Sequence, residues 1–354
     1  MAGDFGPLHE RQCLLQRSKH TWVDGRPLLD LAPKRNITHP VTLNEAETQI
    51  YYGLRGSALE AYKKYNLNEL GYASVLQAIT RLRQACCDPR LIKKPTATQS
   101  ESLDDPYSDN DIDVEDSLVL PLGVENLLDA LPEAPSSKIA KLLEVLSELR
   151  QGRPKARFLV FSEFRQYLQT IQTYLSRDGY SVELHHGKLT SDARQEVVDK
   201  FQDPASKIDG LLITLKSGGQ GLTLIQANHA FMMTPHWNPA AEAQAQDCIH
   251  RMGQTQEVSI HHIPVPRFGL LGKIYDTVEA SVSIMQEKKQ LWADGAAGRL
   301  IGTENGQQST AIFDNSKRST LADWMMGIMG STSKSNSRSC IIKIQTDQQI
   351  PTAL

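Results

Sequence analysis

The sequence predicts an α/β fold, a mostly parallel sheet flanked by helices, and two observations lead there. Five short apolar runs, at residues 158–162, 182–186, 211–215, 230–234 and 258–263, alternate with segments of helical periodicity. Ligands of such a sheet sit beyond the carboxyl ends of its strands. Polar and glycine-rich text gathers there, at Ser162-Glu163, His186-Gly187-Lys188, Lys216 to Gln220 and the loop holding Trp237.

In chain order, Asp24-Gly25 marks a tight turn between two short runs, predicting a hairpin or clasp within residues 1–40. Residues 43–92 are helical in pattern, with Thr42 or Asn44 as cap and Glu45 and Glu47 in the first turn. A second helix covers 72–86 and ends at Asp88-Pro89; Leu76, Ile79, Leu82 and Ala85 form its apolar side, leaving Arg81 and Arg83 to a solvated face or, alternatively, to a backbone phosphate. Residues 101–133 hold eleven acidic and no basic side chains, so 96–135 is expected to be a disordered acidic insertion. Order resumes at Ser136, a predicted cap for a helix carrying Ile139, Leu142, Leu143 and Leu146. A helix is expected at 190–201, and an amphipathic one at 276–292 with Val278, Val282, Met285 and Leu291 inward. Residues 296–354, rich in Ser, Asn, Gln and Gly, cannot bury enough surface to offset ordering, apart from a short apolar island at 321–329.

The chemistry concentrates in residues 210–258. An apolar run feeds a turn at Ser217-Gly218-Gly219-Gln220-Gly221, a second run follows, and then a helix capped by Asn238 with Pro239 in its first turn and Gly253 as its stop. On a helix of that length Gln244, Asp247, Cys248 and Arg251 share one face. Arginine suits phosphate through its planar fork of donors, and consecutive glycines let backbone amides approach an oxyanion. The two together point to a phosphate-facing surface.

At these residues the sequence resembles the C-terminal motor lobe of the Swi/Snf-type ATPases, superfamily 2 DNA translocases. SGGQGLTL matches motif V, QAQDCIHRMGQT matches motif VI, and LRQACCDPRLI resembles the helix linking the two lobes. The likeness extends over most of residues 10–295 and fits the subgroup of repair translocases, helicase-like transcription factor and transcription termination factor. It implies a RecA-like second lobe of P-loop NTPase type over 136–295, preceded by a helical linker at 41–95. It also implies that 1–40, with Leu15 to Lys19 matching an LRRxK-like segment, closes a first lobe. The matches to motif V and motif VI assign Gly219, Gln220, Gly221, Gln244, Asp247 and Arg251 to an ATP cleft, with Arg251 as the catalytic finger. DNA contacts are expected from Ser162, Lys188, Lys216, Ser217, Gly219 and Trp237. The implied partners are duplex DNA or chromatin and a first motor lobe in cis or trans, in the nucleus.

Hydrolysis in this superfamily also needs a phosphate-cradling GxxxxGK[ST] loop and an acidic pair for Mg²⁺. The sequence has neither: Gly269 to Ile274 has the wrong spacing and no hydroxyl after its lysine. ATP and Mg²⁺ are therefore expected to be held mainly by a first lobe, the chain being a fragment, half of a split enzyme, or a degenerate lobe that binds DNA or a protein. Cys248 stands where the family pattern has an arginine, and Gln220, Thr223, Thr234 and His236 also depart from it. Net charge is −3, so any DNA contact must come from a local patch. The five cysteines show no zinc-ligand spacing, which argues against a zinc site and a disulfide framework, so no RING-type ubiquitin-ligase activity and no metal ligands are expected. No apolar run is long enough to span a bilayer, so no membrane partner is expected.

Overall fold

The computed structural model describes residues 19, 22–23, 26–92, 120–121, 123–153, 156–218 and 221–296. Strands β1 (Trp22–Val23) and β2 (Arg26–Pro27) pair antiparallel, as the expected hairpin needs, while residues 24–25 lie outside the described residues. Then come β3 (Lys34–Thr38), α1 (Glu45–Asn66), α2 (Tyr72–Cys87), a short 3₁₀ turn at Pro89–Ile92, α3 (Val124–Asp129) and α4 (Ser137–Gly152). The remainder runs β4 (Arg157–Ser162), α5 (Arg165–Arg177), β5 (Val182–His185), α6 (Ser191–Gln202), β6 (Gly210–Thr214), β7 (Ala227–Met232), α7 (Pro239–Gln246), β8 (Val258–His262), β9 (Arg267–Leu270), β10 (Lys273–Asp276) and α8 (Val278–Ala296).

Six of these strands form one sheet in the order β3-β8-β7-β4-β6-β5, parallel throughout. Five are those the alternation predicts. The sixth, β3, comes from the N-terminal segment and pairs along its whole length with β8, from Lys34 opposite Val258 to Thr38 opposite His262. It carries mostly exposed polar residues, so no apolar run announced it. Backbone pairing at a sheet edge needs no buried side chains of its own.

The sheet separates two apolar cores. On one face α1, α2, α4, α5 and α8 pack around Ile50, Ile79, Leu142, Tyr167 and Val278; on the other α6 and α7 cover Leu159, Phe161, Leu211 and Ile260. Caps follow the sequence at three helices. Asn44 and Glu47 form a reciprocal capping box, Thr190 accepts from the Ala193 amide, and Asn238 accepts from the Ala240 amide. Ser136 does not cap with its side chain, because its hydroxyl donates to the Cys87 carbonyl at 2.8 Å and so ties α4 to the end of α2.

Two expectations need correction. The expected disorder of 96–135 does not extend to its last part: α3 lies there, with Val124 and Leu128 buried one turn apart against α1. Arg83 is not on a solvated face but 3% exposed. The expected disorder of 296–354 falls, apart from Ala296, outside the described residues.

Across the first core runs a buried ion pair. Lys138 of α4 donates to Glu279 Oε1 of α8 at 2.5 Å and to the Met233 carbonyl at 2.6 Å, while Glu279 Oε2 accepts from the Val265 amide at 2.8 Å. The Tyr51 hydroxyl accepts from the Val278 amide at 2.8 Å beside it. Four elements are thereby held at the carboxyl end of β7.

Candidate functional site

The carboxyl ends of β4, β5, β6 and β7 open onto the surface that the sequence singles out. After β6 the chain makes one helical turn, Leu215–Gly218. Ser217 faces inward from this turn. Its hydroxyl lies 2.8 Å from Thr214 Oγ1 and 3.2 Å from His185 Nδ1, and within 3.3 Å of the Thr214 and His185 carbonyls. It fastens the glycine-rich turn to the ends of β5 and β6. Burial and the Arg194 cation keep the His185 imidazole below its ordinary pKa, in the neutral form such a bond accepts. Lys216 and Lys188 point outward beside it. Ser162 has no exposed surface, and its hydroxyl accepts from the Phe164 amide, initiating α5. Gly219 and Gln220 lie outside the described residues.

The motif VI segment departs from the predicted continuous helix. α7 stops at Gln246, and residues 247–253 continue as turns closed by bonds from Cys248 to the Ala245 carbonyl and from Ile249 to the Gln246 carbonyl. Tertiary partners claim the polar groups that a longer helix would use. His250 Nε2 meets the Ala32 carbonyl at 2.9 Å, and Lys19 donates to Asp247 Oδ1 and to the His250 carbonyl, both at 2.7 Å. The Gln254 amide group bridges the Ile225, Ala227 and Ile249 carbonyls. Gly253, at φ +93°, ends the turn in a conformation an L side chain rarely adopts.

The four residues expected on one helix face therefore separate. Cys248 is buried at 2% exposure in the second core, and burial pushes its thiol up to about 11, so it carries no charge. Gln244 and Arg251 are exposed, and Asp247 is half-exposed under Lys19. Arg251 Nη1 donates to the Gly221 carbonyl at 3.2 Å. The glycine-rich turn and the segment after α7 thus meet at Gly221 and Arg251, and again where the Leu224 amide donates to the Cys248 carbonyl at 2.8 Å. Gly221 adopts φ +73°, with open space where a Cβ would stand.

Between β7 and α7 the loop holding Trp237 is gripped from two sides. Arg83 of α2 donates to the Pro235 carbonyl at 2.9 Å and pairs with the Glu163 carboxylate, and its guanidinium lies 4.6 Å over the indole ring. From α8, Gln286 donates to the His236 carbonyl and to Glu242 Oε1, both at 2.6 Å, and Lys289 donates to the Trp237 carbonyl at 2.8 Å. Glu242 also accepts from the His236 amide; burial raises its pKa and these bonds oppose the rise. Thr234, where the family favours aspartate, accepts from the Glu163 amide at 3.3 Å.

Arg83, Glu163, Glu242, Gln286 and Lys19 escaped the sequence reading as site residues. For Arg83 the signal was present: it lies four residues after Ile79 and three before Cys86, on the edge of the apolar stripe. For Gln286 and Lys19, whose partners stand 50 and 228 residues away, there was none.

Residues 137–254 match the family model for the helicase conserved C-terminal domain. The chain is 29% identical to mouse (Mus musculus) helicase-like transcription factor over an alignment covering 88% of this chain and 38% of that protein. It is 28% identical to the DNA repair protein RAD5 of Yarrowia lipolytica, covering 85% of this chain and 37% of the relative. Against transcription termination factor 2 of Drosophila melanogaster it is 32% identical, covering 62% of this chain and 24% of the relative. The chain spans less than two fifths of the length of each of these relatives. Among solved structures, the C-terminal part of the Fun30 ATPase domain superposes with a TM-score of 0.54 at 22% identity, covering 77% of this chain and all of that one. The SWI2/SNF2 ATPase core of Sulfolobus solfataricus, in complex with double-stranded DNA, gives 0.51 at 17% identity, covering 75% of this chain and 46% of that one. The parallel sheet agrees with these likenesses: the chain contains a helicase conserved C-terminal domain, is related in sequence to helicase-like transcription factor and RAD5, and shares the RecA-like α/β fold of the Swi2/Snf2 ATPase lobes.

Proposed function

We propose that this chain supplies the second motor lobe of an ATP-dependent DNA translocase acting in the nucleus, in DNA repair, chromatin or transcription. The observation that carries the reading is the contact between Arg251 and the Gly221 carbonyl, which brings motif VI to the glycine-rich turn of motif V. An exposed guanidinium beside Gly221, where the space a Cβ would fill is open, is a surface on which a triphosphate can rest. Arg251 is the finger that would stabilise charge on a transferring phosphoryl group, with Gln244, exposed, and Asp247, half-exposed, as the further candidates for the cleft. Bound ATP would supply the phosphoryl group. Among the described residues no cluster of three His, Cys, Asp or Glu side chains could hold a metal, so no magnesium ligand and no metal-borne step is assigned to them.

Lys188, Lys216 and Trp237, on the connections that follow β5, β6 and β7, are the residues offered to the DNA backbone. Ser217 acts behind them by fixing the turn that bears Lys216. A partner first lobe, in cis or trans, completes the cleft. Among the described residues no helix is long and apolar enough to cross a membrane.

One observation favours a second reading, a lobe retired from catalysis that still binds DNA or a protein. Where the family pattern has an arginine, Cys248 is buried and uncharged. The deciding experiment measures ATP hydrolysis with and without duplex DNA, on this chain alone and mixed with a first lobe from a relative. DNA-stimulated turnover in the mixture, lost on Arg251→Ala, establishes the motor lobe. Duplex binding without turnover in either setting establishes the retired lobe.

A further inference from the structure

We propose that Arg83 is a positioning residue for DNA engagement, holding Trp237 in the orientation in which the indole meets the duplex. The inference rests on the reading of the strand-end surface as a DNA track, and it names the residue that fixes that track to the linker helix.

Arg83 belongs to α2, outside the sheet, yet only 3% of it is exposed. Its Nη2 reaches two groups on separate connections, the Glu163 carboxylate after β4 and the Pro235 carbonyl after β7. The face of the same guanidinium covers Trp237 at 4.6 Å and stands 5.6 Å from the Phe164 ring. A desolvated cation over an aromatic face holds that ring strongly, and the planar fork lets one side chain satisfy a carboxylate, a carbonyl and a ring together. A lysine offers a point charge and no plane, so it keeps the ion pair and loses the stack. Trp237 itself remains partly exposed, and the Lys289 bond to its carbonyl holds the backbone rather than the ring. The indole rests against the edge of the first apolar core, and Arg83 fixes its orientation from the ring face. Because Arg83 is buried and paired, it touches no phosphate itself, and its effect on DNA must pass through Trp237.

The test titrates a labelled duplex with the full chain over a series of salt concentrations, using the unmodified protein, Arg83→Lys, Trp237→Phe and the double variant. Arg83→Lys is expected to weaken binding about tenfold, since lysine keeps the charge and loses the plane that stacks on the indole. Trp237→Phe should weaken it comparably, and the double variant should bind no worse than the weaker single one, the signature of two residues acting as a unit. Additive losses, or Arg83→Lys binding like the unmodified chain, would overturn the inference while leaving the DNA reading intact. Absence of salt-dependent duplex binding by the unmodified chain would instead overturn the DNA reading and this inference with it. If Arg83→Lys lowers the melting temperature sharply, Glu163→Gln, which loosens the guanidinium without removing it, is measured in its place. It should weaken binding about threefold in the Trp237 background and not at all in Trp237→Phe; equal losses in both backgrounds would refute the proposal.

Discussion

Replacing Lys138 by methionine removes the cation from a pair in which Lys138 is fully buried and Glu279 is 1% exposed. Methionine matches the length of the stem, so the perturbation is one of charge and hydrogen bonding rather than volume. Two bonds vanish, to the Met233 carbonyl and to Glu279, and the carboxylate is left in the core with the Val265 amide as its donor. Breaking a buried pair from one side costs about 3–5 kcal/mol, because the surviving charge stays desolvated. For a chain of this size that corresponds to a fall in Tm of roughly 10 °C. Urea unfolding followed by circular dichroism measures it directly as a shift in midpoint at constant slope. The double variant Lys138→Met with Glu279→Gln should regain about half of the loss or more, since no net charge is then buried. A Lys138→Met chain within about 1 kcal/mol of the unmodified one, or a double variant less stable than the single, would refute the reasoning.

Three further outcomes are expected. Burial, aided by neighbouring cations, keeps His229, His261 and His262 neutral, with pKa values of about 4, 3 and 4; Arg153 and Glu257 face His229, His39 faces His261 and His262, and Lys34 faces His262. The unfolded chain takes up these protons near pH 6.5 and the folded chain refuses them until about pH 4, so stability falls as pH drops through that window, by roughly 2 kcal/mol per imidazole at pH 5. His229→Phe, which leaves the His39 to His261 bond in place, should shrink the difference between urea midpoints at pH 7.5 and pH 5; an unchanged difference would remove His229 from the account. Restoring the family's arginine by Cys248→Arg should lower stability by at least about 2 kcal/mol, since the side chain enters an apolar core beside Arg251 and Lys19, and a thermal melt with an undiminished midpoint would contradict the buried placement of this residue. Gly253→Ala should cost about 1–2 kcal/mol through the φ of +93° alone, as read by the same melt, and a neutral result would mean that the turn relaxes.

The local parts of this molecule were legible in the residues. Apolar runs of strand length, separated by capped helices, specify a parallel sheet because period and length are local properties of the chain. Asn44, Thr190, Asn238 and Pro239 mark helix starts for the same reason, each acting within three residues of itself. Gly221 and Arg251 could be read as members of one surface, and Gly253 as a stop, because their usefulness lies in their own backbone freedom and charge.

Only the tertiary structure decided where those parts meet. It drew β3 from the N-terminal segment onto the sheet edge, ended α7 at Gln246 by offering the following turn to Lys19, Ala32 and Gln254, and turned Cys248 into the core and Ser162 away from solvent. It also gave Arg83 three partners and Lys138 a buried counter-charge 141 residues away. Periodicity says which face of a helix is apolar, but which polar group on its margin is drawn inward depends on the carboxylate or carbonyl that waits across the interface. That partner lies far along the chain, and its position is a property of the packed whole.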